Sequence, residues 1–333
     1  MHRTKLRVSL FLLLAVVLVV ALVCGWGASR FNAPRVIEGN EPDIIVYLPR
    51  GMPLVDVAQT LHRAGAIEDP KYFEWGVRIL GTPRQLKAGE YSIIPSMGMR
   101  GVMEHLSAGK TLLRMITVPE GLTVADVISL LGTAEGLEGE ISDLPSEGSL
   151  LPETYKYTRG DKRQDLVQRM QTAMTDTANQ LWATRKAELP LNSAAEAKVL
   201  ASIIEKETAV PEERSTIAGV FVNRLRRGMR LQSDPTVVYA LTQGVEALGR
   251  PLTFDDLKTD SPFNTYQVKG LPPGPITNPG RASLEAAVQP ADTDAYFFVA
   301  DGEGGHVFAN TLAEHQKNVR RWRSLKRQRR NGR

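Results

Sequence analysis

The chain is poor in the residues that build many kinds of site. Its single cysteine, Cys24, allows no disulfide within the chain and no cysteine-based metal cluster. The five histidines, His2, His62, His105, His306 and His315, show no H-E-x-x-H or comparable spacing, so no metal site is expected. No P-loop, no G-x-G-x-x-G behind a strand and no G-x-S-x-G elbow occurs. Nucleotide use and serine-hydrolase chemistry are therefore unsupported, and no cofactor is expected. Acidic residues are absent from Lys317 to Arg333, a stretch that holds nine Lys/Arg. The total net charge is +4, so everything before that stretch nets −5. A basic run can mark nucleic-acid binding. On an exported chain it reads instead as a solvated tail, residues 319–333, near anionic lipid headgroups or wall polymer, with no nucleic-acid partner.

What the chain has in quantity is one apolar run. "VSLFLLLAVVLVVALVCGW", Val8 to Trp26, is uninterrupted and about as long as a bilayer crossing requires. Arg3, Lys5 and Arg7 precede it, so the positive-inside bias keeps residues 1–7 in the cytoplasm and exports the rest. A cleaved signal peptide also begins with positive charge, but this apolar core is too long for one and no clean A-x-A site follows. A lipoprotein cysteine would want a small residue before it, and Val23 is branched. The expectation is a single-pass inner-membrane anchor over 8–26, then a polar tether over 27–42, with the remainder on the periplasmic side.

Residues 43–111 read as strand, helix, helix, strand and one more helix. "DIIVYLPRG" is the first strand, and "DPKYFEWGVRILG" is a helix capped by Asp69 with Pro70 in its first turn. This βααβ order resembles a LysM module, a small fold that binds N-acetylglucosamine polymers. Residues 112–318 then form a mixed α/β domain, giving an α+β fold class overall. Its features are a charged helix from about Gln164, a helical heart over Leu191–Leu225, the Pro/Gly-rich "FNTYQVKGLPPGPITNPG", and a hairpin turning at Gly302–Gly305.

Within that heart, "IIEKET" places Glu205 and Glu207 two residues apart. Ser193 followed by Glu196 is a capping-box pattern that starts the helix. At roughly 100° per residue, Val199, Ile203, Leu200 and Ile204 fall at about 0°, 40°, 100° and 140°. Glu207 lands at about 80°, inside that apolar stripe, and Glu205 at about 240°, beside Lys198 and Ala201. Helical neighbours are three and four apart, so the two glutamates cannot share a site as a helical pair. A carboxylate pressed against isoleucines has a raised pKa, as a proton donor at neutral pH needs. Spacing alone leaves open whether Glu207 does this or escapes to water at the helix end.

Four long segments bear on that choice: "EGSLLPETY", "LASIIEKETAVPEERSTIAGVFVNRLRRGMRLQSDPTVVYAL", "SPFNTYQVKGLPPGPITNPG" and "YFFVADGEGGHVFANTLAEH". With the N-terminal anchor and the LysM-like module they resemble, over nearly the whole chain, the YceG-like family of membrane-anchored endolytic murein transglycosylases. Lytic transglycosylases place one catalytic glutamate near a helix end, followed by Ser or Thr. Glu207 with Thr208 fits that pattern, and Glu205, followed by Lys206, does not. The resemblance implies cleavage within nascent peptidoglycan glycan strands beside the synthases, leaving 1,6-anhydro ends, with the glycan and the synthases as partners. The alternatives are a muramidase-type hydrolase, which would use two carboxylates about 5 to 9.5 Å apart, and a non-enzymatic membrane-anchored scaffold that binds peptidoglycan through the LysM-like module.

The other site candidates follow from the same reading. In "LQSDPT", Gln232 and Ser233 suit hydrogen bonding to sugar acetamides and hydroxyls. Asp234 either supports them or simply caps a helix ahead of Pro235. In "FNTY", Asn264 and Tyr266 are expected to grip the sugar, the alternative being a turn with a core tyrosine. Glu153 in "LLPETY" is read as a supporting carboxylate, and Glu205 as a solvent-facing or fold-supporting one. His306, in a Gly-rich turn, is given a surface or structural role.

Overall fold

The computed structural model describes residues 2–34, 42–80 and 85–331. It divides into two compact units, residues 1–114 with 158–160 and residues 115–157 with 161–333. Each has its own apolar core, and together they are α+β.

The first unit begins with α1 (His2–Asn32), long and apolar enough to cross a membrane. This helix does not stop at Trp26 as expected. Residues 27–32 continue it, and residues 35–41 of the anticipated tether lie outside the described residues. The physical reason is Phe31, which is buried in the core of the unit. Its ring occupies the space beside Gly76, where an added Cβ would lie only 2.2 Å away. Any larger residue at position 76 would push the last turn of α1 off the unit.

Beyond α1 come β1 (Ile44–Leu48), α2 (Leu54–Arg63), α3 (Pro70–Ile79), β2 (Gly89–Ile93) and α4 (Met99–Ala108). The strands pair antiparallel with Val46 opposite Tyr91, so the expected βααβ order is present. Asp69 starts α3 by accepting hydrogen bonds from the backbone of Lys71 (2.7 Å) and Tyr72 (3.2 Å). Phe73 and Val77 point from α3 into the core with Leu61, Tyr91 and Leu106. A fully buried Phe73 alone contributes about 2–3 kcal/mol of burial. Glu90, also buried, accepts from Arg114 at 2.8 Å and Arg159 at 3.0 Å, which holds its carboxyl below the usual range.

The second unit opens with β3 (Arg114–Thr117), α5 (Val124–Thr133) and β4 (Thr154–Tyr157), with β3 and β4 paired. Helices α6 (Arg163–Ala183), α7 (Ala194–Glu207), α8 (Arg214–Arg226), α9 (Asp234–Thr242) and α10 (Arg281–Val288) follow. Ser193 caps α7 by accepting from the Glu196 amide at 3.2 Å. The α7 helix is the centre of the unit, packed by α6, α8, α9 and α10. Val199, Leu200, Ala201, Ile203 and Ile204 are all buried, so α7 has no solvent face along most of its length. Gly219 lets α8 approach a neighbouring loop, since a Cβ there would meet the Ala291 carbonyl oxygen at 2.6 Å.

The chain closes with β5 (Phe297–Ala300), β6 (His306–Ala309) and α11 (Leu312–Asn331). The hairpin forms as expected, with Phe298 opposite Phe308. The anticipated basic tail over 319–333 is a different object. Residues 319–331 belong to α11, a helix packed on the hairpin through a face that includes His315, Val319, Trp322 and Leu325. The apolar residues recur every three or four positions along the basic run, and this periodicity makes it a packed helix.

Candidate active site

Helix α7 ends at Glu207, and Thr208 leaves it in an extended conformation (φ −142°, ψ 137°). The break is stabilised by the Thr208 hydroxyl, which accepts from the Val210 amide at 2.9 Å, just before Pro211. Glu207 is thereby held at the negative end of the helix dipole with its carboxyl largely enclosed. Burial pushes that carboxyl up to about 6, and the nearby Asp234 charge adds to the rise. The Ser233 hydroxyl, donating to Glu207 Oε1 at 2.5 Å, works the other way, as do the charges of His306 and Arg224.

The carboxyl opens onto a cavity of about 450 Å³. Of the residues picked out from the sequence, Glu207, Gln232, Asp234 and Tyr266 line it. Gln232 is exposed and adopts a left-handed backbone (φ 49°), unusual for a residue with a side chain. Tyr266 donates its hydroxyl to Asp234 Oδ1 at 2.6 Å, and burial followed by that bond raises its pKa. Ser233 is buried and touches Glu207 directly. It also occupies the cap position of α9, so Asp234 is the first helical residue and not its cap.

Three expected positions fall elsewhere. Asn264 is fully buried, and its amide group is used within the fold. It donates to the carbonyls of Leu257 (3.1 Å) and Thr259 (2.8 Å) and accepts from the Tyr266 amide (3.0 Å). It shapes the loop that presents Tyr266 and does not line the cavity. Glu153 is exposed just ahead of β4 and is likewise not among the lining residues. Glu205 has a side chain only 6% exposed, on the far side of α7 from the stripe carrying Glu207. It accepts from the Gly280 amide at 2.9 Å, at the start of α10, and stands 3.9 Å from Arg214. It supports the fold through a neighbouring charge and does not face solvent.

The sequence reading missed part of the cavity wall. Arg224 reaches it from α8, anchored by bonds to the carbonyls of Tyr296 (2.7 Å) and Leu231 (2.5 Å). His306 and His315 both line it. Glu213 grips His306 twice, at the backbone amide and at ring Nδ1, each at 2.7 Å. His315 stacks on Phe297 with ring centroids 5.2 Å apart, and its buried Nδ1 has no hydrogen-bond partner among the described residues. Burial first, and the Arg224 charge second, lower its pKa. The signal for His306 was its place within one of the long motifs, "DGEGGHVFA". His315 closes the same motif, but nothing in its spacing showed that the helix presenting it turns it toward the cavity. Among the described residues no cluster of His, Cys, Asp and Glu could hold a metal ion.

A family model, the YceG-like family, matches residues 46–321. The chain belongs to the YceG-like family. Within reach of this family assignment, an endolytic murein transglycosylase of Bacillus subtilis is 30% identical, the match covering 90% of this chain and 91% of that protein. Another, from Streptococcus pneumoniae D39, is also 30% identical, over 85% of this chain, which spans 59% of that longer relative. A yceG-like protein of Listeria monocytogenes, known from its crystal structure, has a TM-score of 0.51 at 30% identity. That match covers 84% of this chain and 99% of the Listeria chain.

Proposed function

We propose that this protein is an endolytic peptidoglycan lytic transglycosylase in which Glu207 is the acid and base. The observation that supports the reading best is one glutamic acid with a largely enclosed carboxyl, raised to about 6, facing a cavity large enough for a sugar and walled by polar groups. Glu207 protonates the glycosidic oxygen as the bond from C1 of N-acetylmuramic acid breaks. Its carboxylate then takes the proton from the C6 hydroxyl of the same sugar while O6 bonds to C1. The proton count balances, no water enters, and the product ends in 1,6-anhydro-N-acetylmuramic acid. Gln232, Tyr266 and Arg224 offer hydrogen bonds to the sugar, while Ser233 orients the Glu207 carboxyl. The names borne by the Bacillus and Streptococcus relatives support the activity class.

In this reading α1 anchors the protein in the cell membrane with its N-terminus cytoplasmic. The βααβ unit serves as a LysM-like glycan-binding module, and the synthases that extend the strands are the neighbouring partners. A muramidase is the second reading, favoured by one observation: Asp234 lines the same cavity as Glu207. Mass spectrometry of peptidoglycan digests separates the two. Anhydro ends are expected, and reducing ends would assign the chemistry to a hydrolase. Glu207→Gln should lower cleavage by at least about 100-fold, the span of a lost general acid. Glu205→Gln, folded, should keep most of it, and the reverse ranking would sink the assignment.

A further inference from the structure

Helix α3 is apolar on two sides. Phe73 and Val77 fill the core of the first unit, as one side of a surface helix should. The other side carries Trp75 and Ile79, which are 59% and 83% exposed, and Leu80, 47% exposed, follows at the C-cap. Water is a poor partner for such a face, and contiguous exposed apolar surface of this kind marks a contact site. The face is continuous with the end of α1. Phe31 of α1 lies against Gly76, and Trp26 meets Tyr72 edge-on at 5.7 Å. Between the two helices lies a cavity of about 460 Å³ whose walls include Val23, Trp26, Phe31, Trp75 and Ile79.

We propose that this face of α3 and the last turns of α1 form a lipid-binding site, with an acyl chain of a membrane lipid lying in the cavity. The argument is one of depth. If the apolar run through Trp26 crosses the bilayer, Val23 and Trp26 lie at its outer boundary. Trp75 and Ile79 share a cavity with those two residues, so they stand at the same level. Tryptophans at that level match the interfacial aromatic belt, and a helix lying there buries its apolar side in the acyl boundary. Two arginines stand at the rim, each also paired with a carboxylate, Arg100 with Glu104 at 2.9 Å and Arg30 with Glu68 at 3.7 Å. Arg100 lines the cavity while donating to Asn32 at 3.1 Å, and the Arg30 guanidinium lies 5.6 Å from the Trp26 ring. The site is independent of the chemistry at Glu207, and its test does not involve cleavage.

The test uses the full chain with Cys24→Ala and Ile79→Cys, carrying a small polarity-sensitive dye, in nanodiscs with one copy each. Doxyl-labelled phospholipid, with the quencher near the headgroup end of the acyl chain, is the probe. Emission is expected to be blue-shifted and quenched by doxyl lipid at least about as strongly as from a dye at Trp26→Cys. Adding Trp75→Gln and Leu80→Gln, with the fold checked by circular dichroism, should reduce that quenching several-fold. Water-like, unquenched emission at position 79 would overturn the proposal. So would shielding that appears only in nanodiscs holding two copies, which would assign the face to a second chain.

Discussion

Glu207 carries a carboxyl whose neutral form is favoured by burial and whose charged form is favoured by the Ser233 hydroxyl. The two act on one proton, so they set where cleavage stops as pH rises. A general acid must be protonated to work, and the cleavage rate is expected to fall as pH rises through about 6. Ser233→Ala removes the bond that lowers the carboxyl, so the descending limb of the pH–rate profile should move to higher pH. A limb that stays in place or moves down in the folded variant would show that Ser233 has no hold on Glu207. At this scale the sequence said much. Helical periodicity separated Glu205 from Glu207, because both lie on one regular helix. It could not place the partner of Glu205, since Gly280 is 75 residues away and meets it only through tertiary packing. Asn264 was misplaced for a related reason. An amide in a Pro/Gly-rich loop serves a sugar or its own backbone equally well by composition, and the carbonyls of Leu257 and Thr259 decide the matter.

Helices position the cavity, and their packing depends on a few close approaches. Arg224 and the hairpin reach the site because α8 lies tight against the loop at Ala291 and Thr293. Gly219→Ala places a Cβ 2.6 Å from a backbone oxygen that has little room to retreat. The expected loss is about 1–3 kcal/mol, read as a fall in denaturation midpoint at unchanged m-value. Activity per folded molecule should drop with it, because Arg224 moves with α8. Part of the element order was legible. Capping at Ser193 and, in the first unit, at Asp69, and the hairpin at Gly302–Gly305 all stand where local chemistry puts them. Helix α11 was obscured because its charge dominates its composition, while the Val319, Trp322 and Leu325 spacing that docks it is sparse.

The molecule as a whole carries buried carboxyls that respond to pH in opposite directions. Glu147, enclosed beside α5 and accepting from the Val124 amide at 3.0 Å, is raised by burial to about 7. In the unfolded chain its value is 4.5, so between pH 4.5 and about 7 the folded state holds more protons. Its contribution to stability is therefore full below pH 4.5 and is lost as pH rises through about 7. Glu207 adds the same sign up to about 6, while Glu90, held low by its arginines, has the opposite one. Comparison of the folded Glu147→Gln variant with the parent isolates the effect: the fall in Tm between pH 5 and pH 8 should shrink by about 3 °C or more. An unchanged fall would place the proton elsewhere. With Phe31 seated beside Gly76, α1 is a post and not a leash. A force on the βααβ unit passes through this contact into α1 as tilt and is not absorbed as slack.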